Sequence, residues 1–164
     1  MVNLFDEMDY RIIQELNKNA RVSSAQISRT IGVKERTIRE RIDRLIELNV
    51  GKMALVINPS IFGYGISVDI FLDIKPEHEE AIIKELMGVP QICFLANGQN
   101  SNEISIEARF KKVEDMYRFL RTTLPEIPGV RVKDYALVPR IVRDIDQWLP
   151  SREDFGISEE PPKD

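Results

Sequence analysis

The chain has 164 residues, 43% hydrophobic and 30% charged, a balance that suits a soluble globular protein with enough chain for one large domain or two small ones. No apolar run approaches the roughly 20 residues needed to cross a bilayer, and MVNLFDEMDY lacks the basic start and apolar stretch of a secretory leader. A single cysteine (Cys93) and a single histidine (His78) exclude an internal disulfide and argue against a metal site, in keeping with a reducing cytoplasm; the formal net charge of −4 gives no overall attraction to polyanions.

Behind Asp6, a plausible N-cap, Phe5, Met8, Ile12, Ile13 and Leu16 recur at helical spacing, so FDEMDYRIIQELNKNAR reads as a first helix. Ser23 and Gln26 then stand in capping-box spacing ahead of a short helix that buries Ile27 and Ile31, and Gly32 stops it in a left-handed conformation. GVKERTIRERIDRL opens a third helix. At about 100° per residue, Ile38, Ile42, Leu45, Ile46 and Leu48 form one apolar stripe. Arg36, Glu40, Asp43 and Glu47 lie opposite, with Thr37, Arg39 and Arg44 on the flanks. Arg41 falls at the edge of the stripe, a structural position against the domain core or an acidic partner. Asn49 and Gly51 end the helix, KMALVI reads as a short β segment, and NPSIFGYG has the composition of a hinge. Three helices with a glycine turn between the second and third, followed by a β segment, form a winged helix-turn-helix pattern.

After the hinge the period changes. ISVDIFLDI alternates, with Ile66, Val68, Ile70, Leu72 and Ile74 on one face, and reads as a half-buried strand. PEHEEAIIKELMG is an amphipathic helix with Pro76 in its first turn. PQICFLANG and EISIEARF are two strands joined by the polar loop GQNSN. VEDMYRFLRTTL is a helix turning Met116, Phe119, Leu120 and Leu124 inward, and VRVKDYALV is a last strand. The order β-α-β-β-α-β predicts a ferredoxin-like sandwich, one antiparallel sheet with two helices on one face, so the fold class is α+β. Phe71 lies on the face left open, which pairing with a second copy would cover. His78 is expected at the surface, Cys93 as a small apolar strand residue, and Trp148 at a subunit interface or against its own domain. The acidic stretch SREDFGISEEPPKD is expected to hold no fixed structure.

Charge is unevenly placed. Between Lys18 and Arg44 stand eight basic and three acidic residues, whereas 53–164 holds thirteen basic against nineteen acidic. A small basic module attached to an acidic domain fits DNA as partner of the first half. A solvated helix held by its own Glu35–Arg39, Arg36–Glu40, Arg39–Asp43 and Glu40–Arg44 pairs is the competing reading of the third helix. The glycine turn ahead of it and Lys34, a poor N-cap where the helix dipole attracts anions, favour DNA. Arg36, Thr37 and Glu40 are then the candidates for base edges. Lys34, Arg39, Arg44, Arg21, Ser24 and Lys52 are the candidates for phosphates, with Lys52 in the wing.

Residues 4 to 142 resemble the Lrp/AsnC (feast/famine) family of transcription regulators, most specifically over FDEMDYRIIQELNKNARVSSAQISRTIGVKERTIRERIDRLIELNV and in the hinge NPSIFGY. The resemblance implies a cytoplasmic, non-enzymatic regulator with a helix-turn-helix over 1–52, a hinge over 53–64, and a sensing and dimerisation domain over 65–142. A C-terminal extension over 143–164 follows. It implies double-stranded DNA and further copies of the chain as partners, in dimers or higher assemblies, no bound cofactor, and an amino acid or other small metabolite as effector. In the family a glycine-containing loop between the second and third strands often carries Gly-x-x-Asp, whose aspartate can pair with the ligand's amino group. Here the loop is Gly98-Gln99-Asn100-Ser101, with serine where the aspartate would fall. An unusual effector held by these residues, or none, are the two readings. An effector-independent architectural DNA-binding protein shares the same helix-turn-helix. A sirohaem-decarboxylase-like enzyme on this scaffold finds only His78 for proton handling.

Overall fold

The structure, a computed structural model, describes residues 4–98 and 102–157. The chain divides into two compact units, one formed by the described residues up to Leu55 together with those from Val142 onward, the other by Val56–Ile141.

The first unit is built on three helices, α1 (Glu7–Lys18), α2 (Ser24–Ile31) and α3 (Glu35–Glu47). The starts of α1 and α2 are set locally. Asp6 and Asp9 form a capping box at α1, and Ser23 and Gln26 form another at α2. The stops are equally local: Gly32 takes φ 81° after α2. Asn49, at φ 54°, closes α3 in a Schellman arrangement, with Asn49 N–H donating to Ile46 O at 3.0 Å and Val50 N–H to Leu45 O at 3.0 Å. Ile12, Ile27, Ile38 and Leu45 are the buried centre, with Phe5, Met8, Ile13, Leu16, Val22, Ile31, Val33 and Ile42 packed around them. Ile46 and Leu48, expected in the apolar stripe, are each 45% exposed because α1 and α2 cover only its centre.

The β segment expected over KMALVI is not a strand, and the wing is therefore absent from this chain's own fold. Among the described residues none of 52–57 joins a backbone hydrogen bond, and Leu55, Val56 and Ile57 are exposed. β propensity without a neighbouring strand leaves every amide to water.

The second unit carries β1 (Ile66–Ile74), α4 (Glu79–Met87, entered through a 3₁₀ turn at Pro76–His78), β2 (Ile92–Asn97), β3 (Glu103–Phe110), α5 and β4 (Val130–Leu137). α5, the helical run 113–126, consists of Val113–Arg118, a π-turn over Phe119–Thr123 and a last turn Leu124–Glu126. Pro125 lacks an amide, and in a regular helix its ring would press on the Arg121 carbonyl; the wider turn relieves both. The sheet order is β2-β3-β1-β4, antiparallel throughout, with Ile70 opposite Ile106 and Tyr135. Alternation sends Val68, Ile70, Leu72 and Ile74 toward the helices, where they meet Ile104, Ile106, Ile82, Leu86, Met116, Phe119, Leu120 and Leu124 in one core. The other face is left to water and carries exposed Phe71 and Phe94. They stand among ion pairs, Asp73 with Arg131, Glu103 with Lys133, and Glu107 with Arg109 at 2.7 Å.

Candidate nucleic-acid interface

Gly32 turns the chain sharply enough for α3 to follow α2 after only three residues, and three bonds hold the turn. Gly32 and Val33 N–H donate to Ser28 O at 2.8 and 3.2 Å, and Ser28 Oγ donates to the Val33 carbonyl at 2.5 Å. Ser28 is thus the turn's inner tie, a role its position four residues before the glycine could have suggested. Lys34 then takes the N-cap position of α3 with no side-chain bond to the helix amides. The first turn of α3 therefore leaves its free N–H groups, and their partial positive charge, facing outward.

Burial of Ile38 fixes which side of α3 is outside. Lys34, Arg36, Arg39 and Glu40 are exposed and Thr37 half-buried beside them, so these five share the outer N-terminal surface of the helix. Arg36 Nε bonds Glu40 Oε1 at 2.8 Å and Arg39 bonds Glu35 Oε1 at 2.7 Å. The Glu40 hydrogen bond, with its charge, pushes the Arg36 guanidinium further up. Of the four i,i+4 pairs expected along α3, these two form. Such pairs are weak, about 0.2–0.5 kcal/mol each on an exposed helix, and hold the arginines extended without burying them. Arg21 is exposed and Ser24 half-buried, at the start of α2. Lys52 is exposed in the irregular segment that replaces the expected wing.

Arg44, a phosphate candidate from the sequence, reaches back toward α1, where its guanidinium bonds Asp9 Oδ2 at 3.4 Å and the Leu4 carbonyl and lies 5.7 Å from the centre of the Phe5 ring. Arg41 is placed where the edge of the stripe predicted, donating to Asp6 at 2.6 Å and Asp9 at 2.9 Å. Asp9 is the hub, 1% exposed, receiving both arginines and accepting the Asp6 amide at 3.1 Å. Burial pushes the Asp6 carboxyl up, but the Arg41 bond, the Asp9 and Met8 amides and the Arg41 charge together bring it below the usual carboxylate range. This clamp ties α1 to the C-terminal half of α3. Helical periodicity gave the direction of Arg44 but not the reach of α1. The signal that could have found the clamp is a pair of acids at Asp6 and Asp9 matching a pair of arginines at Arg41 and Arg44, both three apart.

In the second unit, Gly98 donates its amide to Glu103 O at 3.1 Å at the mouth of the β2–β3 hairpin; Gln99, Asn100 and Ser101 lie outside the described residues. At the opposite end of that hairpin is a half-open cleft of about 290 Å³ between Tyr64, Gln91, Arg109, Lys111, Arg118 and Thr123. Its cations are engaged, Arg109 with Glu107, Arg118 with Asp115 at 3.1 Å, and Lys111 over the Tyr64 ring at 4.8 Å. His78 is exposed at the start of α4. Cys93, expected as a small apolar strand residue, lies in β2 and is exposed, at the register shift where β2 bulges against β3. Trp148 is 56% exposed. Among the described residues no three His, Cys, Asp or Glu side chains gather as metal ligands, and no helix is long and apolar enough to cross a membrane.

Comparison with known proteins agrees with this architecture. The AsnC-type helix-turn-helix domain model matches residues 5–46. An uncharacterised HTH-type transcriptional regulator of Pyrococcus abyssi is 30% identical over 83% of this chain and 87% of its own length. The HTH-type transcriptional regulator FL11 of Pyrococcus furiosus is 31% identical over 73% of this chain and 80% of its own. Among solved structures, E. coli AsnC superposes with a TM-score of 0.75 at 21% identity, covering 87% of this chain and 99% of that one. A complex of the Neisseria meningitidis regulator NMB0573 with L-Met gives 0.77 at 18%, covering 85% and 92%. A three-helix module with a glycine turn, followed by a sheet of order β2-β3-β1-β4 under two helices, and relatives at this identity over most of both chains, make this chain a DNA-binding transcriptional regulator of the Lrp/AsnC family.

Proposed function

We propose that the chain binds specific DNA sequences as a dimer, with α3 of each copy in the major groove and the two second units joined through their open sheet faces. The observation that carries this is the outer surface of α3. A free helix N-terminus, Lys34, Arg36, Thr37, Arg39 and Glu40 stand together there, with none of the four cations and anions consumed by the module's core. Arg36, Thr37 and Glu40 suit base edges; Lys34 and Arg39, with Arg21, Ser24 and Lys52, suit phosphates. Exposed Phe71 and Phe94 support the open face as the dimer contact. Two modules on one duplex make up for the modest affinity that mixed charge gives each.

The effector reading rests on the β2–β3 loop and on one solved neighbour. The Neisseria regulator's L-Met complex supports a small metabolite as effector, and Ser101 in place of a carboxylate supports one other than an ordinary α-amino acid, held through Gly98, Gln99, Asn100 and Ser101. Calorimetry against the amino acids and polar metabolites tests it; tight binding of an ordinary amino acid, unchanged in Ser101→Ala, refutes the loop's role. Relatives that are transcription regulators and the surface position of His78 support a regulator rather than an enzyme, acting in the cytoplasm.

Selection of bound duplexes from a random pool is the deciding experiment. A two-part motif with a fixed interval is expected, and Arg36→Ala should relax base preference within each half. Enrichment of no motif, or coverage that collapses everywhere as salt rises, would instead favour an architectural protein.

A further inference from the structure

The stretch that composition assigned to an acidic tail without structure is, over Ser151 to Ile157, a folded knob. A 3₁₀ turn, Glu153–Phe155, is tied at its start by Ser151, whose N–H and Oγ donate to the Asp154 carboxylate at 2.8 and 2.9 Å. It is tied at its end by Gly156 in the left-handed region (φ 68°) and by Ile157 N–H to Arg152 O at 3.1 Å. The knob presents one aromatic side chain. Phe155 is 4% exposed and packs edge-on to Tyr10, ring centres 5.1 Å apart, and tilted to Phe5 at 6.0 Å. Arg152 lies 5.7 Å over the Tyr10 ring. Phe5 and Tyr10 flank the start of α1, beside the Asp6–Asp9 clamp on α3, so the seat belongs to the rigid part of the helix-turn-helix.

The chain thus leaves the DNA-binding unit after Leu55 and rejoins it from Val142. A module held by one hinge samples orientations freely. A second attachment through Phe155 closes a loop on it and removes part of that freedom. For two modules on one duplex, the affinity of the second contact scales with how often the tether presents it at the right place. We propose that Phe155 is a positioning residue for DNA recognition: by seating between Phe5 and Tyr10 it restrains the helix-turn-helix and narrows the half-site spacings the dimer accepts. This rests on the dimeric reading above.

The test measures binding of full-length protein to duplexes carrying two selected half-sites whose separation steps through half and whole helical turns, and to a single half-site. Wild type should favour one spacing by about tenfold or more, near one turn or a multiple of it. Phe155→Ala should keep single-half-site affinity within about twofold and flatten the spacing profile to about threefold, with Phe155→Tyr retaining the peak. A second variant guards against loss of folding: a flexible Gly/Ser insertion of about ten residues between Pro139 and Arg140 leaves the knob and its seat intact while slackening the return tether. It should flatten the profile as well. A peaked profile unchanged in both variants overturns the role of Phe155 and leaves the dimer standing. A flat wild-type profile overturns both readings. Loss of single-half-site binding in Phe155→Ala, with the insertion variant still peaked, also overturns it, because the knob is then only part of the module's core.

Discussion

Arg44 and Arg39 lie five residues apart on one helix, and the structure holds them differently: Arg44 is tied back to Asp9 and Leu4, whereas Arg39 pairs only with Glu35 on the exposed side. Replacing Arg44 by alanine removes a 3.4 Å bond to Asp9, a bond to the Leu4 carbonyl and the contact with the Phe5 ring. Its side chain is 39% exposed, so water screens part of each interaction. Asp9 keeps Arg41 at 2.9 Å and the Asp6 amide at 3.1 Å, so no buried carboxylate is left alone. The two bonds are then worth about 1 kcal/mol and the ring contact about 0.5–1 kcal/mol. A loss of about 1.5–2 kcal/mol in the first unit should move its urea midpoint down by roughly 1 M. Affinity for DNA, measured by fluorescence anisotropy well below the transition, should change little. Arg39→Ala should do the reverse. Its pair with Glu35 is exposed and contributes at most about 0.5 kcal/mol, whereas loss of a phosphate cation weakens all sequences alike and lowers the salt slope by about 1. If Arg44→Ala weakened every duplex and lowered the slope while leaving the midpoint in place, the clamp assignment would be wrong and the phosphate role right.

Ser23→Ala removes the side-chain half of the α2 capping box and should lower stability by about 1 kcal/mol, read in the same urea titration. Phe71→Asp and Phe94→Asp put a carboxylate on the open face. Each should weaken self-association by roughly a hundredfold in sedimentation velocity, and a dimer indifferent to both would move the interface elsewhere. Two carboxylates give opposite pH signatures. Burial and then the nearby Glu107 push Asp69 above the usual carboxylate range, so the fold loses stability as pH rises out of the unfolded carboxylate range. Asp69→Asn should therefore melt above wild type at neutral pH, with the gap closing toward pH 4. Asp6, held low, stabilises above its unfolded pKa, and that contribution disappears as pH falls through its folded value. Asp6→Asn should lower the midpoint at neutral pH and matter least in acid.

What could be read from residues alone follows the range of the interaction. The alternation Ile66 to Ile74, the Ser23–Gln26 box and Gly32 are decided within a few residues, and the structure has them as their spacing predicts. Met116, Phe119, Leu120 and Leu124 all turn inward, although the π-turn that delivers them is set by Pro125 and invisible to a periodic pattern. KMALVI has the side chains of a strand, but a strand is a pair, and a single sequence does not supply the partner. The contacts of Arg44 and Phe155 escape such a reading for a related reason. Periodicity says which way a side chain leaves its helix, and composition says how polar a segment is. Neither says that α1 waits 35 residues upstream of Arg44 with a buried carboxylate, or that one phenylalanine in an acidic stretch finds two aromatic rings.

Because the knob is encoded after the second unit and its seat before it, the order of synthesis separates them. The three helices carry their own apolar centre, Ile12, Ile27, Ile38 and Leu45, and all are made before the second unit. Phe5 and Tyr10 then stay uncovered while the entire second unit is made, on the order of 5–20 s at usual elongation rates. A nascent regulator thus passes through a stage in which its three helices are complete and its aromatic seat is open. A stop codon or protease cut ahead of Phe155 would leave the seat open, with all three helices still present.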